Sequence, residues 1–204
     1  MDSYIIIGGM GSGKSTVARM LAERGAAHLD LDAVGHTVLA SGLATDALVG
    51  AFGGRILDDD GAVGRKALAR CAFRDEASTA ILNDIMHPLI VAEAQAMLQA
   101  FERTGSRMAV VEVSAYAGPG GAFDGLVRDA RGVVAVAAPR SMRAQRAVQQ
   151  GFGARDVRNR LRRQPTERAR AQWASAVVPN VRTLDDLEKR VDELWARLNG
   201  SERR

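Results

Sequence analysis

Five short runs of apolar and β-branched residues punctuate the chain: SYIII at 3–7, AAHLD at 26–30, MAVVEVS at 108–114, GVVAVA at 132–137 and SAVV at 175–178. Their apolar character is nearly continuous rather than alternating, so a sheet built from them must be covered on both faces. Helical patterns separate the runs, which predicts an α/β fold with a five-stranded parallel sheet and helices on both faces. Residues 31–107 carry no convincing strand. RKALARCAF, TAILNDIM and PLIVAEAQAMLQAF have helical spacing there, with Pro88 in the first turn of the last, so a helical insertion is expected over about 45–104. The sheet core then falls in about 1–40, 106–138 and 172–204, leaving about 140–170 as a further segment. Leu184, Leu187, Val191, Leu194 and Leu198 make one stripe of a C-terminal helix packed on the core.

Directly behind the first run the chain reads IIIGGMGSGKST. Gly8, Gly13, Lys14 and Ser15 satisfy GxxxxGK[ST], and the motif lies between a strand and the helical pattern KSTVARMLAERG, the context it requires. Glycines let backbone N–H groups turn inward around a polyphosphate, and the helix N-terminus adds partial positive charge. Gly11, Ser12, Gly13, Lys14, Ser15 and Thr16 form the expected nucleotide loop. Lys14 serves as a point charge for the β and γ phosphates, and the Ser15 hydroxyl as a Mg²⁺ ligand. After the second run, HLDLDAVGH places Asp30 and Asp32 at the carboxyl end of a strand, where open parallel sheets gather ligands. Either carboxylate suits orientation of a hydroxyl for attack on the γ phosphate, and either suits the capping of the next helix. His36, four residues past Asp32, shares its face on a helix and is expected to hydrogen-bond to it.

Composition narrows the class. No stretch is long and apolar enough for a membrane span, and no basic segment followed by an apolar leader opens the chain, so the expectation is a soluble cytoplasmic protein with no membrane partner. The formal charge is +4, yet of 28 basic residues only Lys14, Lys66 and Lys189 are lysine. An arginine bias of that kind spreads charge over every solvated face, which makes the charge a weak argument for a nucleic-acid partner, and none is expected. The lone cysteine, Cys71, suits a small buried apolar position.

From Tyr4 to about Asn180 the chain resembles the dephospho-CoA kinases. GGMGSGKST is similar to that family's phosphate loop, LDLDAVGHTVL to its short acidic motif, and FGGRILDDDGAVGRKALARCAF to the segment that ends in a basic residue, a leucine and a phenylalanine. ILNDIMHPLI matches LNxxxHPxI through Leu82, Asn83, His87, Pro88 and Ile90, and RLRRQPTERARAQWASAVVPN has the family spacing through Arg160, Gln164, Ala174 and Asn180. The resemblance implies a P-loop kinase fold with an ATP core, a helical CoA-binding insertion and an Arg-bearing lid. It also implies transfer of the ATP γ-phosphoryl group to the ribose 3′-hydroxyl of dephospho-CoA, with Mg²⁺ as cofactor and ATP as co-substrate.

On that resemblance Asp32 becomes the base or orienting carboxylate, Lys14 the phosphate clamp, and Arg65 and His87 acceptor-side residues. Residues 140–170 hold ten arginines against Asp156 and Glu167, with Val157 and Leu161 as an apolar side. Arg140 is the expected catalytic arginine of the lid and Arg146 a substrate-binding one; Glu112 suits either the acidic position near Mg²⁺, through water, or a strand carboxylate paired elsewhere. The chain departs from the family at VEVSAYAGPGG, at Gln149 and Gln150 where a second lid arginine is usual, at Ser175 and at Ile7. Two other readings stay open: another small-molecule kinase, and a nucleotide-binding protein without catalysis. The oligomeric state is not readable from the chain.

Overall fold

The computed structural model describes residues 1–200. The expected strands form as β1 (Asp2–Gly8), β2 (Ala27–Asp30), β3 (Met108–Val113), β4 (Gly132–Ala137) and β5 (Ala176–Pro179). They make one sheet in the order β2-β3-β1-β4-β5, with every pairing parallel. Ile5, Ile6 and Ile7 of the central strand point to alternate faces and are all buried, so both faces are covered, as the unbroken apolar runs require. The helices are α1 (Lys14–Glu23), α2 (Leu31–Ala40), α3 (Thr45–Phe52), α4 (Arg65–Ala72), α5 (Glu76–Arg103), α6 (Asp124–Asp129), α7 (Arg140–Gln149), α8 (Ala154–Arg163), α9 (Glu167–Trp173) and α10 (Leu184–Gly200).

Two compact units divide the chain: residues Met1–Asp30 with everything from Leu98 onward, and residues Leu31–Met97. In the first, Val17, Ala18 and Leu21 of α1 and Leu187, Val191, Leu194 and Leu198 of α10 pack with Tyr4, Ile6, Val110 and Val134 of the sheet in one core. Leu184, the first member of the predicted α10 stripe, is instead exposed at the helix start. A smaller apolar seam joins α7 to α8 through Ala147, Val157 and Leu161, with Met10 of the glycine loop packed against it.

The second unit is helical, with Leu48, Phe52, Ile56 and Leu68 buried. Two helices were expected around Pro88; α5 is a single helix running from Glu76 to Arg103 with Pro88 inside it. The ring removes one backbone donor at a mid-helix cost of about 3 kcal/mol. Helix-forming residues continue on both sides and bury Met86 and Ala94, so the break does not propagate. Asp75 caps this helix by accepting a hydrogen bond from the Ser78 amide at 2.7 Å. Cys71 lies in α4 but is only partly buried, not in the buried position expected: the inward positions of this helix are Leu68 and Ala72, four residues apart, and Cys71 is one residue off that line.

Candidate active site

The loop from Gly8 to Lys14 leaves β1 and enters α1 without a side-chain cap. Gly11 and Gly13 adopt φ of 72° and 94°, in the left-handed region that favours glycine. A side chain at Gly11 would collide with the Arg143 carbonyl and one at Gly13 with the Asn180 amide, so the neighbours fill the space glycine leaves. No acidic residue stands in the first turn of α1, so its partial positive charge is not neutralised from within the helix. Lys14 and Ser15 are the first two residues of that turn.

One flank of the loop is centred on Glu112 of β3, which is only 2% exposed. Ser15 Oγ donates to its Oε1 at 2.5 Å, and Lys14 Nζ stands 3.4 Å from the same oxygen. On its other side Nε2 of His28, from β2, lies 3.5 Å from Oε2, at the outer limit of a hydrogen bond. Burial pushes the Glu112 carboxyl up; the facing His28 ring, the Ser15 hydrogen bond and the charge of Lys14 outweigh it and hold the group below its ordinary value, as a carboxylate. A buried carboxylate beside an accessible hydroxyl is an oxygen donor set that suits a hard divalent cation bound partly through phosphate and water. No group of three or more His, Cys, Asp or Glu side chains that could cage a metal occurs among the described residues.

The opposite flank is built from arginines. Arg143 of α7 and Arg170 of α9 are each 3% exposed and share Glu167, at 3.2 Å and 2.9 Å from its Oε1. The Arg143 guanidinium lies where a side chain at Gly9 would be. Gln164 accepts from the Met10 amide at 3.1 Å, which ties this flank to the loop. Burial lowers the pKa of both guanidiniums, opposed by Glu167. Asn180, just past β5, donates to the Ser12 carbonyl at 2.8 Å, while Arg146 donates to the Asn180 carbonyl and side-chain oxygen at 3.2 and 3.3 Å.

The sequence-predicted residues therefore fall in several places. Gly11, Gly13, Thr16 and Arg146 line one cavity of about 370 Å³, together with Gln149, Gln150, Asn180, Arg182, Leu184 and Leu187. Ser12 is fully buried beneath the loop. Arg140 is exposed at the first position of α7. Asp30 ends β2 in register with Glu112, and Asp32 is exposed in the first turn of α2. Within the second unit, His36 pairs with Arg65, Nε2 to guanidinium nitrogen at 2.7 Å, which brings two candidate groups together. His87, half-buried on α5, has its pKa lowered by burial against the opposing charge of Asp84.

Sequence reasoning did not single out Arg143, Glu167, Arg170 or His28 as site groups. Gln164 and Asn180 were visible only as positions in a family pattern. For Arg143 a usable signal existed: it lies four residues before Ala147 and so shares the inward face of α7.

A family profile described as Dephospho-CoA kinase matches residues 5–186. The chain is similar to a Corynebacterium glutamicum protein of that name, 34% identical over 195 residues that cover 95% of this chain and 97% of the relative. Among solved structures it is similar to a Thermus thermophilus protein, 27% identical, with a TM-score of 0.74 and 97% of each chain covered. The dephospho-CoA kinase of Campylobacter jejuni, 17% identical, with a TM-score of 0.65 and 97% of each chain covered, shares the fold. No described helix is long and apolar enough to cross a membrane. With the ordered motifs, the phosphate-loop geometry and these matches in agreement, the chain belongs to the dephospho-CoA kinase family.

Proposed function

We propose that this protein transfers the γ-phosphoryl group of ATP to the ribose 3′-hydroxyl of dephospho-CoA, giving CoA and ADP. The observation that carries the reading is the pairing of Lys14 and Ser15, at a helix N-terminus open to anions, with the buried carboxylate of Glu112. Membership of the family supplies the acceptor. The loop amides of Gly11 to Thr16 bind the phosphates, and Lys14 neutralises the β and γ oxygens. The cavity bounded by Gly11, Thr16 and Arg146 takes the rest of the nucleotide. Ser15 and, through water, Glu112 would hold magnesium, which supplies charge neutralisation on the β and γ phosphates when bound.

Asp32 orients the 3′-hydroxyl and accepts its proton as the oxygen forms its bond to the γ phosphorus and the bond to ADP breaks. Arg65 and His87 hold the acceptor, and Arg140 neutralises charge on the phosphoryl oxygens in flight. These substrates put the enzyme in the cytoplasm. The test is ADP formation with ATP, Mg²⁺ and a panel of acceptors. Turnover is expected with dephospho-CoA and not with nucleoside monophosphates or sugars, and Asp32→Asn lowers it by about 10²- to 10⁴-fold. Turnover that follows another acceptor, or none, overturns the proposal.

A further inference from the structure

One polar side chain of the sheet has no part in the scheme above. His28 stands on β2 in register with Val110, so it reaches Glu112 from the neighbouring strand. His28 Nε2 and Glu112 Oε2 face each other at 3.5 Å, and both atoms are buried with no hydrogen-bond partner. The other oxygen of Glu112 is already engaged by Ser15 and Lys14. With Glu112 only 2% exposed, bulk water does not solvate Oε2, and an orphaned carboxylate oxygen in such a place is costly. A carboxylate whose second oxygen lacks a donor also pivots about its last, broad torsion.

The geometry points to His28 as a positioning residue for binding of the magnesium–nucleotide complex: its ring N–H holds Oε2 of Glu112, which keeps Oε1 turned to Ser15. The Ser15 hydroxyl then spends its proton on Glu112, leaving oxygen lone pairs for a cation, which is the work of outer-shell groups around metal ligands. Leucine at position 28 fills similar space without the donor, and glutamine restores an N–H. The inference rests on the proposed reading only in that the loop binds a magnesium nucleotide; it needs no acceptor.

Calorimetric titration of ADP into the full chain, with Mg²⁺ and again with EDTA, tests it. The ratio of the two affinities is expected to fall roughly tenfold in His28→Leu while metal-free affinity moves less than about twofold, and to recover in His28→Gln. An unchanged ratio overturns the inference, as does equal weakening with and without metal, the mark of a merely structural residue. Where His28→Leu does not fold, nitrogen NMR of the wild-type ring decides: a proton on Nε2 supports the inference, and a proton confined to Nδ1 overturns it. Wild type that shows the magnesium-dependent ratio but no turnover with dephospho-CoA defeats the acceptor assignment and leaves His28 in place.

Discussion

On each flank of the phosphate loop one carboxylate is shared by two nitrogen bases, yet the two arrangements differ in charge and in support. Glu112 is fixed by strand register between β1 and β2, and faces Lys14 and His28. Glu167 sits on the seven-residue helix α9, whose start is capped by Thr166 accepting from the Ala169 amide, and it faces two arginines. On the first flank the Glu112 anion faces one fixed cation, Lys14. The second buries two guanidiniums against one carboxylate, and Arg143 Nε has no partner. The first is therefore suited to sharing its carboxylate with a bound cation, and the second is left short of an anion beside a loop shaped for phosphate.

The sharpest way to break this contrast is Lys14→Ala. It removes the charge aimed at the phosphates and leaves Glu112 without its cation, and kcat/KM is expected to fall by about 10³-fold, or about 4 kcal/mol of transition-state stabilisation. Steady-state ADP release measures it. A drop of less than about tenfold would mean that the arginine flank alone carries the phosphate charge.

The arginine flank has its own test in stability. Glu167→Gln leaves Arg143 and Arg170 facing one another with no carboxylate, and is expected to cost about 3 kcal/mol in urea unfolding. Arg143→Met keeps the Glu167–Arg170 pair and costs roughly half as much. The reverse order would show that no surplus of buried charge exists there, and the contrast with Glu112 would fail.

How far the chain announced these two flanks follows from what holds each together. The strands and the glycine loop were legible because an apolar run covered on both faces and a strand-to-helix GxxxxGK[ST] leave few alternatives. Glu112 was visible because it lies on such a strand. Among ten arginines between 140 and 170, by contrast, composition does not say which turns inward. That depends on the helical phase of α7 against Gly9 and Gly11, and it buried Arg143 while leaving Arg140 exposed. His36 showed its face-sharing with Asp32 in the spacing, but its bond to Arg65 joins helices far apart in sequence. The continuous helix through Pro88 was hidden for a related reason: a proline signals a break locally, and the packing of both its flanks lies outside that signal.

The smallest expected effect lies between the two flanks. Ser12 is wholly buried at the base of the loop, its carbonyl held by Asn180, and its hydroxyl has no partner. Burying an unpaired hydroxyl costs free energy, so Ser12→Ala should leave the stability of the nucleotide-free protein within about 0.5 kcal/mol of wild type, or raise it. If the hydroxyl is kept because it bonds once phosphate arrives, the same variant weakens ADP binding by about 1 kcal/mol, a fivefold change in Kd. Thermal unfolding and ADP titration of one protein separate the two quantities. A variant that loses stability without nucleotide, with ADP affinity intact, would make Ser12 a strut between the flanks rather than part of the grip on phosphate.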